Sequence, residues 1–324
     1  METLTLVTII VCSLVVVLWI FIVLVFISLI SKNFKKRFDY SKELEYKYFD
    51  EYKCSKEYLD LTIKEFNVIT SKNAKLRVCE IEDKKVSINK VIYFIPGFSP
   101  GVNAYTTLCM QLVKLGYKVI SFDSYGCGKS EGKNIKSWYQ KVIDFKYIVE
   151  FYKEAHANVD KFIIGHSQGG YTSFVCLKYF PNYFKKIINI SGIESFSKVA
   201  FNYKNKLASF MFKVATTFSI GYRSCINSSK YLNRCKSIKY YIVGSEDNMA
   251  SKSREKYLKK LDSLNVICIV IEGAYHNPYQ PLESEEYMKK YFSIKDNKEK
   301  IDLDLATKID DKFIKFIEDV LIEE

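Results

Sequence analysis

Lys161-Phe162-Ile163-Ile164-Gly165-His166-Ser167-Gln168-Gly169-Gly170 is the stretch on which the reading of this chain turns. A short apolar run from Lys161 to Ile164 has strand composition, and Gly169 to Tyr179 continues as an amphipathic helical pattern. A G-x-S-x-G set between a strand and a helix makes a sharp turn that lifts the serine hydroxyl above the sheet, and its small residues give the crowded backbone room. With only 13 Gly in 324 residues, the pattern in this context is specific. A glycine-rich turn with an incidental serine is the plainer alternative.

Working outward, the same strand-then-helix rhythm recurs. Val91 to Ile95, Lys118 to Phe122, Ile187 to Ile190, Tyr240 to Val243 and Val266 to Ile271 are short, nearly continuous runs of Ile, Val, Tyr or Phe. Such runs fit strands buried on both faces of a parallel sheet. Asn103 to Leu115, Ser137 to Tyr152 and Ser251 to Leu264 are amphipathic stretches between them, so an α/β architecture with helices on both faces is expected. Leu59 to Thr70 and Lys75 to Glu82 read as an antiparallel pair turning at Ser71-Lys72-Asn73. Ile193 to Lys236 breaks the rhythm: it has no convincing strand, and Leu207, Phe210, Met211, Val214 and Phe218 recur in it at helical spacing.

A serine nucleophile needs a base, and the chain has three histidines. His156 reads as a surface or capping residue at a helix end, and His166 belongs to the turn itself and would point away from the neighbouring hydroxyl. His276 follows the last strand, at the carboxyl edge of the sheet where sites of this architecture assemble. A carboxylate must orient that base. Asp247 lies just beyond the strand Tyr240 to Val243, at the same edge, with Glu246 and Glu194 as rivals. The order Ser, Asp, His is the one expected of this architecture.

With these residues in place, the chain resembles an α/β-hydrolase-fold serine hydrolase from about Leu59 onward, and within it the monoacylglycerol lipase and lysophospholipase-like branch. Pro96-Gly97-Phe98 is similar to the family's oxyanion-loop motif. Asp123-Ser124-Tyr125-Gly126-Cys127-Gly128-Lys129-Ser130 is similar to its D-x-x-G-x-G-x-S turn, with Asp123 read as stabilising the turn. The resemblance implies a mostly parallel central sheet, Gly165 and Gly169 as the nucleophile elbow, and the backbone N–H groups of Phe98 and Gln168 as oxyanion hole. It makes residues 193–236 a small helical cap whose apolar stripe could face an acyl chain or simply pack on the core. A lipid or small ester is the implied substrate, cleaved with no metal and no cofactor. Thioesters, amides and acyl transfer use the same triad, and a non-catalytic binding protein of the same fold is the alternative from another class. Pro96 stands where many lipases carry His, and no HGGG-type run exists.

Upstream lies a different kind of segment. From Thr3 to Ser31 no charge appears, and residues 4–30 suffice for a transmembrane helix, since about 20 apolar residues cross the hydrocarbon core. A cleaved signal peptide is the rival, against which stand the lack of a basic start and the length of the run. Residues 31–56 form a basic juxtamembrane neck and 57–324 the hydrolase domain. Lys32, Lys35, Lys36 and Arg37 place that domain on the cytoplasmic side of a single-pass anchor by the positive-inside bias. Nine scattered cysteines without a C-x-x-C pair suggest neither a disulfide framework nor a zinc site.

The composition, 48% hydrophobic and 15% aromatic, excludes a disordered chain. The formal charge of +12 concentrates in two places: the cluster at 32–37 and the cap, where eight basic residues oppose Glu194 alone. No phosphate loop or nucleic-acid motif accompanies it, so no nucleic-acid partner is expected. A basic cap turned toward an anionic membrane surface is expected instead; the sequence says nothing of oligomeric state.

Overall fold

The computed structural model describes residues 2–34, 37, 60–85, 89–98, 101–200, 206–249, 254–293 and 301–323. Nearly all of the neck lies outside them. The chain opens with helix α1 (Glu2–Phe34), then the strands β1 (Leu61–Ile69), β2 (Lys75–Asp83) and β3 (Lys90–Ile95). There follow α2 (Thr106–Lys114), β4 (Lys118–Phe122), α3 (Gln140–Tyr152), β5 (Asp160–His166), α4 (Gln168–Val175) and β6 (Lys186–Ile190). The cap interval holds α5 (Phe196–Ala200) and α6 (Lys206–Ile220) with two short 3-10 turns. The chain closes with β7 (Ile238–Gly244), α7 (Arg254–Asp262), β8 (Ile267–Ile271), α8 (Leu282–Ser293), α9 (Leu303–Ala306) and α10 (Asp311–Ile322).

Among the described residues eight strands form one sheet in the order β1-β2-β4-β3-β5-β6-β7-β8. β1 and β2 pair antiparallel, turning through Asn73 at φ 59°, and β2 also meets β4 antiparallel. Every other pairing is parallel. Because side chains alternate across a strand, the continuous apolar runs divide between two cores. Tyr93, Ile95, Ile163, Ile187, Tyr241 and Val243 face one layer with Phe145, Ile148 and Phe174. Ile92, Phe94, Ile164, Ile188, Ile190 and Ile242 face the other with Leu108, Leu112, Phe313 and Ile317. The inner strands β3 to β7 are buried on both faces as their runs require, whereas β8, expected to be so, is the edge strand and leaves Ile267 and Val270 exposed. Parallel pairing brings the carboxyl ends of β3, β5, β7 and β8 to one edge.

α1 does more than precede the domain. It is long and apolar enough, from Thr3 to Lys32, to cross a membrane. Its first half is exposed, whereas Trp19, Ile22, Val23, Phe26, Ile27 and Ile30 pack on the core of the domain. These positions fall three or four apart, one face of the helix. They meet the cap helix: the Phe26 ring sits edge-on to Phe212 at 5.8 Å, and the Ser31 and Ser219 hydroxyls are 2.8 Å apart. Arg37, the last of the basic cluster after α1, donates to the carbonyls of Gly128, Ser130 and Gly132, tying the chain after α1 to the turn beyond β4.

The inner face of α6 differs from the stripe expected of it. Met211 is buried and Val214 packs on the core, but Leu207, Phe210 and Phe218 are exposed. The buried face runs instead through Phe212, Ala215, Thr216 and Ser219. Small and polar residues there permit close helix contact, and a search for large apolar residues passes over them. His156 also departs from its surface reading. It is buried, stacked on Tyr152 at 4.8 Å, with its Nδ1 2.7 Å from the Tyr93 hydroxyl.

The docking of α1 on α6 predicts that Ser31→Cys with Ser219→Cys forms an intramolecular disulfide under mild oxidation. Linked peptides spanning the two positions should be recovered from a digest of the full chain; their absence would place the helices apart.

Candidate active site

The site grows from the junction of β5 and α4. Ser167 sits at φ 54°, ψ −113°, in a region L-residues avoid, so the surrounding structure must hold it there. It can do so because the flanking chains touch. A Cβ on Gly169 would lie 1.8 Å from the carbonyl oxygen of Ile95, and one on Gly165 would lie 2.4 Å from the carbonyl oxygen of Gly169. β3 and β5 are neighbours, with Ile95 opposite Gly165. The loop that starts at Pro96 is thereby set beside the serine.

His276 arrives in the loop after β8, and Asp247 in the loop after β7. The His276 Nε2 is 2.9 Å from the Ser167 Oγ, and its Nδ1 is 2.9 Å from the Asp247 Oδ2. Asp247 is fully buried, and its Oδ1 accepts the backbone N–H of Met249. The carboxylate can only accept, so Nδ1 carries the proton and Nε2 presents a lone pair to the serine hydroxyl. Of the rival carboxylates, Glu246 is exposed, and Glu194 is held in the cap by Lys198 and Asn227. The three sequence-selected residues therefore meet, in an arrangement able to deprotonate a serine and hold the resulting imidazolium.

Gln168 opens α4, directly after the serine, where the first backbone N–H groups lack intrahelical acceptors. Phe98 lies on the loop after β3, its ring stacked on Trp138 at 5.7 Å. Asp123 has the structural place expected of it. It is buried, accepts the N–H groups of Val102 and Lys129, and pairs with Arg77 at 3.2 Å.

Sequence reasoning missed several supports. His166 is buried; its Nε2 is 2.9 Å from the His276 carbonyl oxygen, and its Nδ1 is 2.8 Å from the Tyr105 hydroxyl. Since a carbonyl only accepts, Nε2 is the donor and Tyr105 donates to Nδ1. The Gly97 N–H in turn donates to the Tyr105 oxygen at 3.1 Å. One chain of hydrogen bonds thus joins the loop after β3 to the loop carrying His276. Glu285 accepts the N–H of Asn277 at 2.5 Å, and burial raises its carboxyl above the usual range. The clue was available for His166 in its place next to Ser167; nothing in the sequence pattern marked Tyr105 or Glu285.

A cavity of about 1030 Å³ lies beside the triad, lined by Asp247, His276, Tyr279, Glu246, Glu285 and Glu286 among others. None of Leu207, Phe210, Met211, Val214 and Phe218 lines it. Among the described residues no cluster of His, Cys, Asp or Glu could hold a metal ion, and no disulfide joins the described cysteines.

Residues 87–240 match the family described as serine aminopeptidase, S33. Among solved structures, an esterase of Pyrococcus furiosus superposes with a TM-score of 0.56 at 20% identity, covering 72% of this chain and 91% of its own. Est1E of Butyrivibrio proteoclasticus, with ferulic acid bound, superposes at 0.54 and 17% identity, covering 71% of this chain and 100% of its own. The fold is that of the α/β-hydrolases. No curated protein sequence matches this chain.

Burial pushes both buried histidines down, His166 to about 3 and His156 to about 4. Unfolding lets each regain an ordinary value near 6.5, so between that value and the depressed ones the unfolded chain binds more protons. Stability is then greatest above pH 6.5 and falls as the pH drops toward 4, by up to ~1.4 kcal/mol per pH unit for each histidine. Urea unfolding at pH 7.5, 6 and 5 should show this slope, and His156→Gln should make it shallower.

Proposed function

We propose that this α/β-hydrolase is a membrane-anchored serine hydrolase that cleaves a lipid-like carboxylic ester, such as a monoacylglycerol or a lysophospholipid. The observation that carries the chemistry is the unbroken line from Asp247 through His276 to Ser167, both contacts at 2.9 Å. His276 takes the Ser167 proton through Nε2 as Oγ attacks the acyl carbon. The oxyanion forms between the N–H groups of Phe98 and Gln168. The imidazolium, stabilised by Asp247, then gives its proton to the departing alcohol, leaving an acyl-enzyme. Water, activated by the same His276, releases the acid. One oxyanion donor contributes about 3 kcal/mol in the transition state.

The lipid reading is supported by where α1 sits. At 1.5 Å per residue the 30 residues from Thr3 to Lys32 extend roughly 45 Å, against a hydrocarbon core of about 30 Å. The half of α1 that packs on α6 is its carboxyl half, which leaves the exposed residues 3–18, roughly 24 Å of helix, free to enter the bilayer, so insertion of that amino half would carry the cap helix to the membrane surface. Leu207, Phe210 and Phe218 are exposed on α6, and Lys213, Arg223, Lys230, Arg234 and Lys236 are exposed on the cap. Apolar and basic side chains together suit an anionic leaflet, each cation adding ~1 kcal/mol near it. The basic residues after α1 favour a cytoplasmic domain.

A second reading follows from the family match and the cavity. An aminopeptidase must recognise a protonated amine, and Glu246, Glu285 and Glu286 line the cavity beside His276.

Three outcomes test these readings. A fluorophosphonate probe should label the full chain and not Ser167→Ala; equal labelling of both, or of neither, would remove Ser167 as an activated nucleophile. Asp247→Asn should lower kcat by about 10⁴-fold, because the amide no longer holds His276 in the required tautomer. In proteoliposomes the full chain should hydrolyse long-chain monoacylglycerols or lysolipids faster than short soluble esters, with a rate that rises with anionic lipid and falls with salt. A preference for aminoacyl arylamides would select the aminopeptidase reading.

A further inference from the structure

The first turn of α3 carries a lysine withdrawn from solvent. Lys141 is 3% exposed, and its Nζ donates to the carbonyl oxygens of Pro96 at 2.9 Å and Gly97 at 2.7 Å. A peptide unit is planar and trans, so the carbonyl oxygen of Gly97 and the amide hydrogen of Phe98 point to opposite sides of one rigid plate. A donor fixed on that oxygen therefore aims the Phe98 N–H away from α3.

We propose that Lys141 is a positioning residue for the oxyanion hole: its ammonium locks the Gly97–Phe98 peptide plane and polarises it, strengthening the Phe98 N–H toward negative charge developing on the substrate oxygen. The inference rests on the serine chemistry proposed above. Two neighbours act in the same direction. The Trp138 ring stacks on Phe98, and the Trp138 carbonyl accepts the Gln168 side-chain amide at 3.1 Å. The stretch from Trp138 to Lys141 thus braces both residues whose N–H groups would meet the oxyanion.

Charge, and not hydrogen bonding alone, is the point of a lysine here. Burying an ammonium is unfavourable unless it is paired, yet the direct partners of Nζ are neutral carbonyls. Around it stand Asp123 and Cys127 of the turn after β4 and Asp144 of its own helix; Asp144 spends its oxygens on the Tyr125 N–H and the Gln140 amide. These groups favour the charged form, but burial outweighs them and lowers Lys141 to about 8. The ammonium is present below that pH and is lost as pH rises through it. An oxyanion forming on the far side of the peptide plate adds to the negative charge that already stands around the buried cation.

The test is Lys141→Met, which keeps the length and removes the charge. Against a soluble ester, kcat per titrated active site should fall about 30-fold, within the range of a weakened oxyanion donor, with KM changed less than threefold. Fluorophosphonate labelling should slow by a similar factor and reach the same endpoint. In wild type kcat/KM should fall as pH rises through about 8, and that limb should be missing from the variant. Wild-type labelling with an equal rate in Lys141→Met overturns this inference alone; a wild type that the probe does not label overturns the serine reading beneath it. Should the variant fail to fold, the wild-type profile decides: a fall near pH 8 supports the inference, and a flat profile to pH 10 overturns it.

Discussion

Everything at the site depends on two backbones being allowed to touch. The carbonyl oxygen of Ile95 occupies the space a side chain on residue 169 would need, so α4 can leave β5 at the angle that exposes Ser167 only because that residue is glycine. Once this contact is made, the loop after β3 is fixed at the foot of the elbow, and the parallel order β5-β6-β7-β8 sets the distance at which the loops after β7 and β8 arrive. Neither Asp247 nor His276 has to be brought to the serine by long-range adjustment. Strand spacing, about 4.8 Å per step, does most of the placing, and a few side-chain contacts finish it.

Those finishing contacts are unusual in being buried and polar. Tyr105 and His166 join the Gly97 N–H to the His276 carbonyl, Glu285 holds the N–H end of that same His276–Asn277 peptide, and Lys141 holds the carbonyls of Pro96 and Gly97. A polar group withdrawn from water must find partners or lose free energy, so each of these groups constrains the loops more tightly than an apolar contact of the same size would. Apolar packing between the two cores sets the sheet; the polar contacts set the angles of the two loops that carry Phe98 and His276.

How far this was legible in the sequence varies with the kind of signal. Strands buried on both faces announce themselves as unbroken apolar runs, and each was located to within about two residues of its bounds. Ser167, Asp247 and His276 could be singled out because the chain has only three histidines, the serine sits in a G-x-S-x-G, and all three places follow strand ends. Lys141 was hidden in plain view: it lies four, seven and eleven residues before Phe145, Ile148 and Tyr152 on the buried face of α3, and a lysine at such a position is usually dismissed as a surface residue. The docking of α1 could not be read at all, since a helix apolar on every side has no stripe to show which side meets protein. The stripe on α6 misled for the opposite reason: Ala215, Thr216 and Ser219 make the close contact, and their small size gives a hydrophobic pattern nothing to record.

The docking of α1 changes what kind of object the cap is. Phe26 of α1 meets Phe212 of α6, Phe212 meets Phe196 of α5 at 6.1 Å, Phe196 meets Trp138 at 5.4 Å, and Trp138 stacks on Phe98. Edge and offset ring contacts of this kind add to the free energy of burial and prefer particular geometries. A shift of α1 along or across α6 would therefore have to be absorbed either within that row of rings or at Phe98 itself. A tether that merely held the domain near a surface would need no such row, only a flexible neck. Here the carboxyl half of α1 supplies part of the wall on which the cap rests, and Arg37 binds the turn that follows β4. The helix that is fit to cross a membrane is thus also a structural member of the hydrolase domain, three ring contacts from Trp138, the residue that packs on the loop after β3.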